Sequence, residues 1–79
     1  MNPVHKTIYE FIVSYILDHQ YPPSIREILD ATGYYSTSTI HRYLHEMYEL
    51  GILETDAGVG QSRAIRVPGL MVVRREEWA

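Results

Sequence analysis

Two consecutive prolines, Pro22 and Pro23, divide the first half of this chain, and a helix-start signal follows them at once. A residue before proline is pushed out of the helical region, so Tyr21-Pro22-Pro23 closes what precedes it and runs on extended. Ser24 with Glu27 three residues later is a capping box, in which hydroxyl and carboxylate satisfy helix-end N–H groups. Ile25, Ile28 and Leu29 then place one apolar stripe on a helix of about two turns, predicted over 25–32, with Arg26 and Glu27 outward. Gly33 stops it, because glycine accepts the left-handed backbone of a helix C-terminus. The cluster Ser36 to Thr39 opens another helix, about 37–50, with Ile40, Tyr43, Leu44, Met47 and Leu50 inward. Two short helices joined by a turn make a helix-turn-helix.

The flanks read as support for that unit. Asn2-Pro3 supplies an N-cap and a proline at the first helical position. Val4, Ile8, Phe11, Ile12, Tyr15 and Ile16 follow at spacings of three and four, giving a scaffold helix over about 3–19. Lys6, Glu10, Ser14 and Asp18 fall on its outer side. Beyond Gly51, which closes the 37–50 helix, residues 52–67 read as a β-hairpin. Ile52 and Leu53 begin one strand; Ala64 to Val67 form the other, with Ile65 and Val67 on one side. The glycines at 58 and 60 belong to its turn, not to a dinucleotide fingerprint, since no helix follows them. The expected fold is mainly α with a small β-hairpin, a three-helix winged helix-turn-helix over residues 1–68. Residues 69–79 form a tail, with Trp78 either docked or a protein-contact anchor.

Composition narrows the function classes. Seventy-nine residues support one modest core. The absence of cysteine removes disulfides, thiolate metal sites and a cysteine nucleophile. Glu10, Asp18 and His19 interrupt the first helix, so it reads as neither a signal peptide nor a membrane span, and a cytoplasmic protein is expected. The net charge of −3 counts against a nucleic-acid binder, whose footprint is usually basic. Residues 1–50 hold Lys6, Arg26 and Arg42 against six acids, while residues 51–79 balance four arginines with four acids.

Local placement favours DNA nonetheless. Thr37, Ser38, His41, Arg42 and His45 lie opposite the apolar side of the 37–50 helix, clustered toward its N-terminal half. That half meets base edges when such a helix enters the major groove. Serine and threonine donate or accept, a threonine methyl meets the thymine methyl, and arginine bridges guanine O6 and N7. Of Tyr34 and Tyr35, one packs into the core and the other offers its hydroxyl to a phosphate, a contact assigned to Tyr35 together with Thr37 and His45. At the hairpin tip, Gln61, Ser62 and Arg63 are placed to touch a neighbouring phosphate strand. His41 and His45 have a spacing that can hold a metal, but a zinc site needs further ligands, and a place beside phosphate suits them better. No catalytic residue, metal, cofactor or small-molecule substrate is expected. A winged helix that binds a protein is the other reading, which the acidic balance and the apolar tail would suit.

The run from Tyr21 to Val67 resembles the N-terminal winged-helix DNA-binding domain of the LexA family of SOS-response repressors. The pieces that carry the likeness are Tyr21-Pro22-Pro23-Ser24-Ile25-Arg26-Glu27-Ile28, Ser36-Thr37-Ser38-Thr39-Ile40-His41, Gly51-Ile52-Leu53 and Arg63-Ala64-Ile65. The resemblance implies a sequence-specific regulator of double-stranded DNA and puts base-reading roles on Ser36, Ser38, Thr39, His41 and Arg42. The Ser-x-Ser-Thr-x-His form looks most like the branch of Gram-positive bacteria, whose operators are inverted repeats of the GAAC…GTTC kind. Arg42 departs from that branch, where this position is often small, and so bears on operator preference. Family members continue into a self-cleaving peptidase domain with a Ser-Lys dyad, which also supplies their main dimer contact. Here Lys6 is the only lysine and lies in the scaffold helix. The expectation is therefore a chain without self-cleavage, binding DNA as a homodimer formed by other means or as a monomer.

Overall fold

Local caps set the three helices of the structure, a computed structural model that describes residues 2–55 and 65–70. The Asn2 side chain accepts the Val4 N–H at 2.8 Å and Pro3 occupies the first turn, so α1 spans Pro3–His19. It closes at Gln20, whose left-handed backbone (φ 65°) returns an N–H to the Ile16 carbonyl, just before the two prolines. The capping box then starts α2, Ile25–Thr32: Ser24 Oγ accepts the Glu27 N–H at 3.2 Å, and Glu27 Oε1 accepts the Ser24 N–H at 2.8 Å. Gly33 ends α2 at φ 70°, a backbone that residues with a Cβ adopt at a cost. Ser36 caps α3, Thr37–Glu49. The hairpin strands are short, β1 at Glu54–Thr55 and β2 at Ile65–Arg66, antiparallel with Glu54 opposite Arg66 and Thr55 opposite Ile65. This is a winged helix-turn-helix.

One core joins all of these elements. Ile8, Ile12 and Ile16 recur every fourth residue along α1 and meet Ile28 of α2 and Ile40, Leu44 and Met47 of α3. Leu53, Ile65 and Val67 close it from the hairpin side. Burying each such side chain stabilises the fold by about 1.5–3 kcal/mol, offset by the entropy of ordering it. Tyr34 packs against this core, whereas Tyr35 is 89% exposed, so the division expected of the pair holds.

Three expectations are corrected. Leu50 does not face inward: α3 ends at Glu49, Leu50 is the C-cap, and its side chain is 65% exposed. The chain swings away there because Gly51 takes φ 75° and the Met47 carbonyl accepts the N–H groups of both Ile52 and Leu53. Leu53, fully buried, fills the place assigned to Leu50. For the same reason Ile52 and Leu53 belong to the helix-closing turn, and the first strand begins only at Glu54 rather than at 52. Third, Glu27 does not point outward. One carboxylate oxygen serves the cap, and the other accepts the Tyr15 hydroxyl at 2.7 Å, tying α2 to α1. The hairpin tip with Gln61, Ser62 and Arg63, and the tail from 71 with Trp78, lie outside the described residues.

Candidate nucleic-acid interface

The apolar side of α3 decides which way its polar side looks. Ile40, Leu44 and Met47 are buried, so residues about half a helical turn away face outward. Ser38, His41, Arg42 and His45 are all exposed there. Their spacing of three or four places them in one stripe along the helix. Thr37 and Thr39 flank the stripe and are half-buried.

Some of these side chains have intramolecular partners. Ser36 Oγ accepts the Thr39 N–H at 3.4 Å and lies 3.3 Å from Thr39 Oγ1, so both hydroxyls are held at the helix cap. A hydroxyl has one O–H and two lone pairs, which leaves each able to make a further contact. The Arg42 guanidinium lies over the Tyr43 ring, 5.1 Å from its centroid, an arrangement that steadies a long cation at the helix surface. Tyr35 stands in front of the cap with a left-handed backbone of φ 56° and its N–H on the Gly33 carbonyl. That backbone is uncommon for a non-glycine residue and turns the tyrosine ring out into solvent beside the start of α3.

The acids of α3 have partners of their own. Glu49 Oε1 lies 2.8 Å from His45 Nε2 on the helix surface. Glu46 is turned toward α1, where its Oε1 lies 2.8 Å from Nε2 of His5. His5 is buried, meets the Tyr43 ring edge-on, and leaves Nδ1 without a hydrogen-bond partner among the described residues. It is the one buried polar or charged residue among those described. Sequence reading passed over His5, although its place one residue after Val4 and three before Ile8 puts it on the edge of the apolar stripe. Nearer the hairpin, burial pushes the Tyr48 phenol above its ordinary range, and a hydrogen bond with Thr55 partly offsets this.

Thus the structure brings together Ser36, Thr37, Ser38, Thr39, His41, Arg42 and His45 at the outer, N-terminal part of α3, with Tyr35 beside them. Comparison with known proteins identifies the family of the domain that carries them. The family model described as LexA DNA binding domain matches residues 2–64, which takes in all three helices and β1. The chain belongs to this family. Similar LexA family proteins include the LexA repressor of Clostridium kluyveri, 48% identical over 60 residues, 76% of this chain and 29% of that protein. The LexA repressor of Acetivibrio thermocellus is 37% identical over 67 residues, 85% of this chain and 30% of that protein. The LexA repressor of Clostridium tetani is 38% identical over 71 residues, covering 90% and 34%. The chain therefore spans about a third of the length of these LexA relatives. Among the described residues, no helix is long and apolar enough to cross a membrane.

Proposed function

We propose that this chain is a sequence-specific double-stranded DNA-binding transcriptional regulator of the repressor type, reading the major groove with α3. The observation that carries the proposal is the stripe of Ser38, His41 and Arg42 at the N-terminal half of α3, opposite a buried apolar side, in a domain whose family is defined by DNA binding. Ser38 and His41 offer donors and acceptors to base edges, and Arg42 offers a bidentate contact to guanine. Ser36 and Thr39 reach bases only while sharing their hydroxyls with the cap. Thr37, His45 and Tyr35, with Gln61, Ser62 and Arg63 of the wing, hold the phosphate strands.

The pairing of Glu46 with His5 and of Glu49 with His45 bears on the acidic composition. Glu46 is drawn back toward α1, away from the reading stripe. An acidic chain can bind DNA where its acids are withdrawn from the contact surface, since phosphate contacts are local. The proposed target is an inverted repeat bound by two copies, matching protein two-fold symmetry to operator symmetry. Selection of bound sequences from a random duplex pool tests this. Enrichment of one half-site, repeated in inverted orientation, is the expected result. A pool that stays random after repeated rounds would overturn the reading and favour a protein partner.

A further inference from the structure

Arg42 has two resting places within reach on α3. One is the ring of Tyr43, over which its guanidinium lies, 5.1 Å from the centroid. The other is the carboxylate of Glu46. Side chains three and four residues apart are neighbours on a helix. Ser38, Thr39, His45 and Glu46 stand at those spacings from Arg42, and of these Glu46 alone is anionic. Among the described residues no carboxylate pairs with Arg42, because Glu46 is turned away to His5, its Oε1 2.8 Å from Nε2.

The two resting places differ in what they leave for DNA. A cation over an aromatic face keeps its N–H groups unused, and the attraction at an exposed site is slight. A carboxylate takes those N–H groups in charge-assisted hydrogen bonds and offsets the charge. An arginine so engaged must break that pair before it can bridge guanine O6 and N7. His5 bears on both choices. Its Nε2 faces the Glu46 carboxylate, and its ring meets the Tyr43 ring edge-on at 6.0 Å between centroids, while Tyr34 meets the same ring at 6.2 Å. At 5% exposure, His5 acts on DNA only through these neighbours.

We propose that His5 is a positioning residue for base recognition. By holding Glu46 toward α1 and bracing the Tyr43 ring, it keeps the Arg42 guanidinium free for guanine, an inference that rests on the reading of DNA by α3. The order of arginine before glutamate is the weaker one for a helical ion pair, so the expected effect is modest.

Fluorescence anisotropy compares a duplex selected by the wild type with a set in which each base pair is substituted in turn. The base pair read by Arg42 is the one whose substitution weakens the wild type by about fivefold or more but leaves Arg42→Ala unaffected. At that base pair His5→Leu, which fills the site but leaves Glu46 unheld, should lose discrimination by about two- to fivefold, the worth of an exposed ion pair. Discrimination at the other base pairs should stay. Glu46→Gln added to His5→Leu should restore the loss, since no anion then competes for Arg42. Circular dichroism melts establish that the variants fold. If His5→Leu does not, Glu46→Gln in the otherwise unchanged chain decides: unaltered discrimination supports the proposal, and a gain shows that Glu46 engages Arg42 despite His5 and overturns it.

A loss in His5→Leu spread over all base pairs, or one that Glu46→Gln does not restore, marks a merely structural role and overturns the proposal. So does unaltered discrimination in His5→Leu, or an Arg42→Ala variant that changes no base pair. In each of these cases the wild type still discriminates, and the reading of DNA by α3 survives. A wild type that discriminates at no base pair overturns that reading and this proposal together.

Discussion

His5 and Glu46, separated by 41 positions in sequence, meet at 2.8 Å and join the first turn of α1 to the last turns of α3. The imidazole is 5% exposed and the carboxylate is half in solvent, so the contact sits at the rim of the core. Nε2 faces the carboxylate, and the buried Nδ1 has no hydrogen-bond partner among the described residues. The contact ties α3 to α1, and the stripe proposed to read bases rides on α3.

Removing either partner should therefore be felt. His5→Ala deletes a buried ring and leaves Glu46 unpaired; the expected loss is about 2–3 kcal/mol by urea denaturation. Glu46→Gln keeps a neutral acceptor at the same place and should cost about 1 kcal/mol or less. Equal losses in the two variants would mean that Glu46 contributes charge alone and that the imidazole packing counts for nothing.

Leu50 and Leu53 should respond in opposite ways. Leu50 is an exposed C-cap, so Leu50→Lys should change stability by no more than about 0.5 kcal/mol. Leu53 is buried to 1% exposure, so Leu53→Ala should cost about 2–4 kcal/mol in the same assay. The reverse ranking would restore Leu50 to the core.

Tyr48 gives the alkaline limb of stability a definite sign. Burial raises its phenol above the ordinary value of 10.0, so the folded chain holds a proton that the unfolded chain releases. The associated stability is complete below pH 10 and is lost as pH climbs from there toward the folded value. Melting temperatures of the wild type and Tyr48→Phe, taken from about pH 8 to 11, should diverge above pH 10, with the wild type falling faster. Parallel curves would mean that Tyr48 does not carry the effect.

The legible parts of this protein were those written in local chemistry. Asn2-Pro3, Ser24 with Glu27, Gly33 and the Ser36 cluster announce helix ends through contacts between near neighbours, and the structure uses each of them. The outer stripe of α3 was equally readable, because a buried period of three and four leaves no choice about the opposite side. What failed was the continuation of a period past the helix end. Leu50 fits the α3 pattern, but the Met47 carbonyl takes two N–H groups beyond it and the chain turns, so Leu53 arrives in the core instead. Glu27 was readable as a cap yet not as the acceptor of Tyr15, and His5 not at all, since these partners come from other helices. Period and caps speak for one element at a time; contacts between elements require the packed fold.

The central claim, that the exposed stripe of α3 reads base sequence, is tested most directly by fluorescence anisotropy with a duplex selected by the protein and a scrambled duplex. The wild type should prefer its selected site, and Ser38→Ala and His41→Ala should each reduce that preference by about 1–3 kcal/mol while leaving affinity for the scrambled duplex nearly unchanged. Binding to both duplexes should weaken as salt is added. Variants that lose affinity for both duplexes alike, with the preference intact, would contradict the claim and move base reading to another part of the chain.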